Sequence, residues 1–191
     1  LSAIIKDEMI GPEYIEKFEA LTYLRQTNDE ATSLCKRMLN YYVMDQYRTP
    51  LLDTIMDSLL PGADLENSLY MTPQMLCALH ERGMTIGSHG VSHRVMSKLS
   101  EAEQSHEITA SFEWLDKIVG GLSVKTFCYP YGGFHTFDET TERLLAEIGC
   151  RFAFNVEPRD IDKRDVRVRP LALPRYDCNQ FPFGQARSIP E

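Results

Sequence analysis

The chain has 191 residues, 43% of them hydrophobic and 25% charged, with a formal net charge of −8. That length suits a single globular domain of ordinary composition. The negative balance argues against nucleic acid and anionic membranes as partners, because both reward basic patches. No apolar run reaches the roughly 18 residues that a membrane-spanning helix requires.

The first 69 residues read as a helical block. Pro12 opens a segment with Tyr14, Ile15, Phe18, Leu21 and Leu24 at helical spacing. Thr27 or Asn28 can cap a second helix with Leu34, Met38, Leu39 and Tyr42 on one face. Thr49-Pro50 is expected to open a third, which Pro61-Gly62 stops. From residue 70 the pattern becomes alternating helix and strand. Thr72 caps a helix running to Arg82, and residues 84–88 read as a short strand. Ser100 and Glu103 form a capping box at the start of a helix that reaches about Val119. A strand follows at 124–128. Thr136 or Asp138 then starts a helix ending near Gly149, and 152–155 and 171–173 read as two more strands. The densely charged stretch 157–169 reads as a solvated loop, and 177–191 as an irregular tail. Helix-strand repeats of this length imply a parallel sheet or barrel over residues 70–176.

Two short motifs carry chemistry. In Ile86-Gly87-Ser88-His89-Gly90-Val91-Ser92-His93, a four-residue spacing brings two imidazoles to one side of a turn. Neutral imidazole is the commonest metal-binding side chain, so His89 and His93 are candidate ligands. They stand just beyond a predicted strand end, where α/β folds place ligands. The second motif is Phe127-Cys128-Tyr129-Pro130-Tyr131-Gly132-Gly133. Pro130 ends strand pairing, and the glycines allow a sharp turn whose backbone N–H groups can stabilise an oxyanion. His135 follows closely enough to serve substrate binding or proton transfer. His80 and His106 lie within predicted helices; His80 reads as a surface residue and His106 as a structural one.

Together these motifs resemble the polysaccharide deacetylase family, also called the NodB-homology or carbohydrate esterase 4 family. The likeness covers roughly residues 70–176. It includes the approach Leu79-His80-Glu81-Arg82-Gly83-Met84, the pairs Leu99-Ser100 and Glu107-Ile108, and the late Leu173-Pro174-Arg175. It implies an α/β fold, here an incomplete or distorted (β/α) barrel with a helical insertion near the N-terminus. The domains would then be the insertion at 1–69, the barrel portion at 70–176 and the tail at 177–191. It implies hydrolysis of N-acetyl or O-acetyl groups on an acetylated saccharide, with a divalent metal, usually zinc, held by one Asp and two His. His89 and His93 would be the histidine ligands, the Tyr131 N–H an oxyanion donor, and Pro130, Gly132 and His135 the substrate-side residues.

The chain also departs from the family. No Thr-Phe-Asp-Asp-Gly run supplies the carboxylate ligand and general base, and no Leu-x-His follows late in the chain. Cys128 stands where many members carry Arg, and Arg175 is the candidate to supply that guanidinium from another strand. The missing carboxylates fit either a longer protein that carries them upstream or a barrel that binds sugar without cleaving it. An amidase acting on a non-sugar amide is a further alternative. On the first reading this chain alone is expected to be inactive, to hold metal weakly, and to associate with the absent segment or with itself. The five cysteines include no Cys-x-x-Cys, so reduced thiols and a cytoplasmic setting are expected.

Overall fold

The computed structural model describes residues 4–24, 26–62, 64 and 69–181. The chain divides into two compact units, one of residues 1–68 with 178–191 and one of 69–177.

The first unit is helical. Helix α1 (Pro12–Phe18) starts with Pro at its first position and passes into a 3-10 turn, Glu19–Leu21. Helix α2 (Glu30–Arg37) is capped by Asp29, whose carboxylate accepts from Thr32 N, and not by Thr27 or Asn28. It widens into a π turn, Met38–Tyr42. That turn sets Tyr41, Tyr42 and Val43 into the core beside Phe18, and Ile10 and Val43 form an antiparallel bridge. Helix α3 (Asp45–Leu59) begins before Thr49-Pro50 and carries Pro50 inside it. The periodic positions overstate burial: Leu21, Leu24, Leu34 and Leu59 are exposed.

The second unit holds the motifs. Helix α4 (Pro73–Glu81) is capped by the Thr72 hydroxyl. Helix α5 (Glu101–Val119) opens on the Ser100–Glu103 capping box and ends on Gly120 at φ 76°, the left-handed geometry that glycine adopts without steric cost. Strand β1 (Thr126–Cys128) pairs in parallel with β2 (Phe152–Phe154), Phe127 opposite Ala153. Between them lies α6 (Glu139–Glu147), capped by Asp138. Two single bridges extend this ladder in parallel: Ser88 with Phe127 on one side, and Leu173 with Phe154 on the other.

Four chain segments thus lie side by side in the order 88, 126–128, 152–154, 173. The pairing is shorter than the sequence suggests. Only Ser88 of the 84–88 stretch is bridged, and Met84 is exposed. Pro170–Ala172 is a 3-10 turn, so only Leu173 of 171–173 takes part. Residues 157–169 also differ from expectation. They contain helix α7 (Lys163–Val168), because Asp162 caps it through Arg164 N and Asp165 N, and Arg159 clamps Asp165 with both terminal nitrogens. Of the tail, Cys178–Gln180 forms a 3-10 turn, and 182–191 lie outside the described residues.

The core of this unit lies between the ladder and helices α5 and α6. Phe127, Tyr129, Ile108, Phe112, Leu145 and Ala153 are at most 1% exposed. Tyr129 stacks on Phe137 at 3.7 Å between centroids, and its hydroxyl donates to Leu171 O at 2.6 Å. Burying each large side chain of this kind contributes about 1.5–3 kcal/mol.

Candidate functional site

The site forms where the ladder's strands end. Ser88 N donates to Thr126 O, and Cys128 N donates to Ser88 O. These two bonds register the loop that follows Ser88 against the turn that follows Cys128. A side chain at Gly87 would put its Cβ 2.4 Å from Thr126 Oγ1, so only glycine permits this approach.

The loop then curls. Gly90 and His93 take positive φ, 79° and 53°. A histidine in the left-handed region is uncommon and costs about 1–2 kcal/mol, so its neighbours must impose it. His89 and His93 come together as an edge-on pair, ring centroids 4.8 Å apart. His89 Nδ1 is hydrogen-bonded to the carbonyl of Cys128. With Nδ1 as the donor, that bond selects the tautomer whose Nε2 lone pair is available to a metal.

The facing turn is equally constrained. Gly132 N donates to Pro130 O at 2.7 Å, closing a three-residue turn around Tyr131. Tyr131 has φ 62°, the sign of the rarer, strained γ-turn. Gly132 follows at φ 72°, where an added Cβ would lie 2.5 Å from Val156 Cγ1. The Tyr131 ring meets His93, centroids 4.8 Å apart. His89, His93 and Tyr131 therefore form one contiguous row of rings.

The remaining predicted residues fall around this row. Pro130 is buried. The His135 ring packs on Gly133, and its carbonyl accepts from Ser97 Oγ at 2.8 Å. Arg175 donates from Nε to Asn155 O at 3.0 Å, and its backbone N–H donates to Glu157 O. Its charge, though weaker than burial, pulls the Cys128 thiol back toward its ordinary pKa, which burial raises and Asp177 raises further. Among the described residues, no group of three or more His, Cys, Asp or Glu side chains could hold a metal ion. His89 and His93 are thus two candidate ligands without a third.

Three supporting residues have no role assigned from the sequence, although Glu107 belongs to the Glu107-Ile108 pair that marks the resemblance. Glu107 on α5 is 4% exposed, and its carboxylate accepts from Val91 N (2.8 Å), Ser92 N (2.9 Å) and Ser92 Oγ. Ser111, one turn further along α5, meets Ser88 Oγ at 2.6 Å. Asn155 is fully buried at the end of β2, bonded to Ala172 O and Glu157 N. One signal was visible in the sequence. Gln104, Glu107, Ile108, Ser111, Phe112 and Leu115 form a single helical stripe, and a carboxylate on a packing stripe demands partners.

The family model for polysaccharide deacetylase matches residues 20–153, and the chain belongs to that family. The match begins some 50 residues ahead of the 70–176 span that the motifs suggested, so it takes in much of the helical block. Among solved structures, the chain is similar to the Streptococcus pyogenes deacetylase PplD in complex with acetate, with 18% identity and a TM-score of 0.50. That alignment covers 66% of this chain and 55% of PplD, so the chain spans about half the length of that structure. At this identity the likeness concerns the fold. No curated protein matches significantly. No described helix is long and apolar enough to cross a membrane.

Proposed function

We propose that this protein removes acetyl groups, N-linked or O-linked, from a saccharide, using a divalent metal such as zinc held through His89 and His93. The observation that carries the proposal is the histidine pair. Two imidazoles bound to one tetrahedral ion at about 2.1 Å have ring centroids about 5 Å apart, and these lie at 4.8 Å. The carbonyl of Cys128 on His89 Nδ1 is the kind of outer partner that orients a ligating imidazole.

A metal held there supplies Lewis acidity at neutral pH. The chain's own residues supply position. His89 is fixed by the Cys128 carbonyl, and His93 is held against the Tyr131 ring. The Tyr131 N–H is the candidate donor to the developing oxyanion. Arg175, anchored to the Asn155 carbonyl, is the candidate to orient a carboxylate. The general base is not among the residues gathered at this site. Losing one typically costs about 10²- to 10⁴-fold in rate. Negligible turnover by this chain alone is therefore expected, with activity arising when the family's Asp-Asp segment is present.

The test combines zinc titration against a chromophoric chelator with acetate release from acetylated oligosaccharides. Weak zinc binding that His89→Ala and His93→Ala each abolish supports the reading. So does chelator-sensitive acetate release by a protein carrying the Asp-Asp segment. Zinc binding indifferent to both substitutions, or acetate release indifferent to chelator, overturns it.

A further inference from the structure

The geometry points to Glu107 as a positioning residue for the histidine loop, an inference that rests on the metal reading of His89 and His93. A carboxylate that is 4% exposed inside a helix stripe is costly unless donors satisfy it. All three of its donors come from the residues between the two histidines or beside them: Val91 N, Ser92 N and Ser92 Oγ. Both carboxylate oxygens are engaged by the loop, which makes Glu107 a clamp and not a ligand. The same oxygen that accepts both N–H groups would lie 3.1 Å from a Cβ at Gly90, so the loop closes tightly over it.

Ser111 adds a second tie one helical turn away. Its hydroxyl donates to Ile108 O, leaving it to accept from Ser88 Oγ at 2.6 Å. Gly90 N donates in turn to Ser88 Oγ at 3.2 Å. Helix α5 therefore grips the loop at Ser88, Val91 and Ser92, the residues just before His89, and between His89 and His93. His93 keeps a positive φ that an ungripped loop would relax. The function of the grip is to hold two imidazoles at one distance before any metal arrives, which lowers the ordering cost of binding.

Glutamine can replace this carboxylate without breaking the grip. Its amide oxygen can accept from Val91 N and Ser92 N, and its NH2 can donate to Ser92 Oγ. Alanine removes all three bonds. Zinc affinity is measured on the intact chain for Glu107→Gln and Glu107→Ala, together with circular dichroism and amide exchange of Val91 and Ser92 in zinc-free protein. The expected result is near-parental affinity for Glu107→Gln, within about 3-fold. Glu107→Ala should lose about 10- to 100-fold, the range seen when outer partners of ligands are removed, with its secondary structure retained and the two amides deprotected. If Glu107→Ala does not fold, Ser92→Ala is read instead. It removes one of the three bonds and should weaken zinc several-fold. Parental affinity in a folded Glu107→Ala or Ser92→Ala protein overturns the proposal, as does an equal loss in Glu107→Gln. Failure of the metal reading looks different: the parent binds no zinc. The exchange data then decide alone, and unchanged protection in Glu107→Ala refutes the clamp.

Discussion

Gly132→Ala is the sharpest test of how the site's turn is built. At φ 72° an alanine pays about 1–2 kcal/mol for the left-handed conformation. Its methyl would also arrive 2.5 Å from Val156 Cγ1 and 3.2 Å from Val156 N. The first contact can be eased by turning the valine, but the second is backbone, and Val156 N is held by its bond to Gly132 O at 3.1 Å. Overpacking of this sort costs about 1–3 kcal/mol. Reduced freedom of the unfolded chain returns about 0.4–1 kcal/mol. The net loss is about 2–4 kcal/mol, a large share of the roughly 5–15 kcal/mol that stabilises a domain. The chain has a single tryptophan, Trp114 on α5, so its fluorescence in urea reports on the unit that holds the site. With a slope of about 2 kcal/mol per molar, the midpoint should fall by about 1–2 M. Val156→Ala in the same chain removes the side-chain clash and should recover about 1 kcal/mol as a coupling term. A Gly132→Ala protein within 0.5 kcal/mol of the parent (about the spread of a neutral surface change), or strict additivity with Val156→Ala, would refute this account of the turn.

Other predictions follow from single contacts. Hydrogen bonds from Ser100, and Arg94 beside it, lower the Glu103 carboxyl from 4.5 to about 2. Its contribution is therefore present above pH 4.5 and lost as the pH falls toward 2, and Glu103→Gln should flatten that part of the stability profile. Because the side chain is 46% exposed, the effect stays below about 1 kcal/mol. An unchanged acid limb would show that the capping box carries no charge-dependent stability. Burial pushes the Cys150 thiol up to about 11, whereas Cys178 is exposed. Alkylation at pH 8, followed by peptide mass spectrometry, should label Cys178 first and Cys150 last, and early labelling of Cys150 would contradict its burial. Tyr129→Phe strands the Leu171 carbonyl that its hydroxyl serves and should cost about 1–3 kcal/mol in urea. Tyr131→Phe should alter zinc affinity little, since it keeps the ring that meets His93, and a large loss would place the phenol in the site.

Much of the second unit is legible from its residues because its signals close over three or four positions. Thr72, Ser100 and Asp138 each satisfy an orphan N–H of the helix that follows, a bond that needs no distant partner. Residues 157–169 were open to the same reading through Asp162 and Asp165, but their charge density suggested a solvated loop instead. The histidine pair and the Pro130–Gly133 turn are local as well, and both motifs stand out in the chain. What the residues did not disclose is which distant segments meet. The bond between His89 and the Cys128 carbonyl joins positions 39 apart, and Arg175 reaches Asn155 across 20. Nothing in hydrophobic period specifies such pairings. They follow from how Phe112, Phe127, Leu145 and Ala153 pack, because close packing sets the register to which the strand ends and α5 must conform. Glu107 shows the difference most clearly. The sequence marks it as a charge on a buried stripe, and only the packed structure gives it a loop to hold.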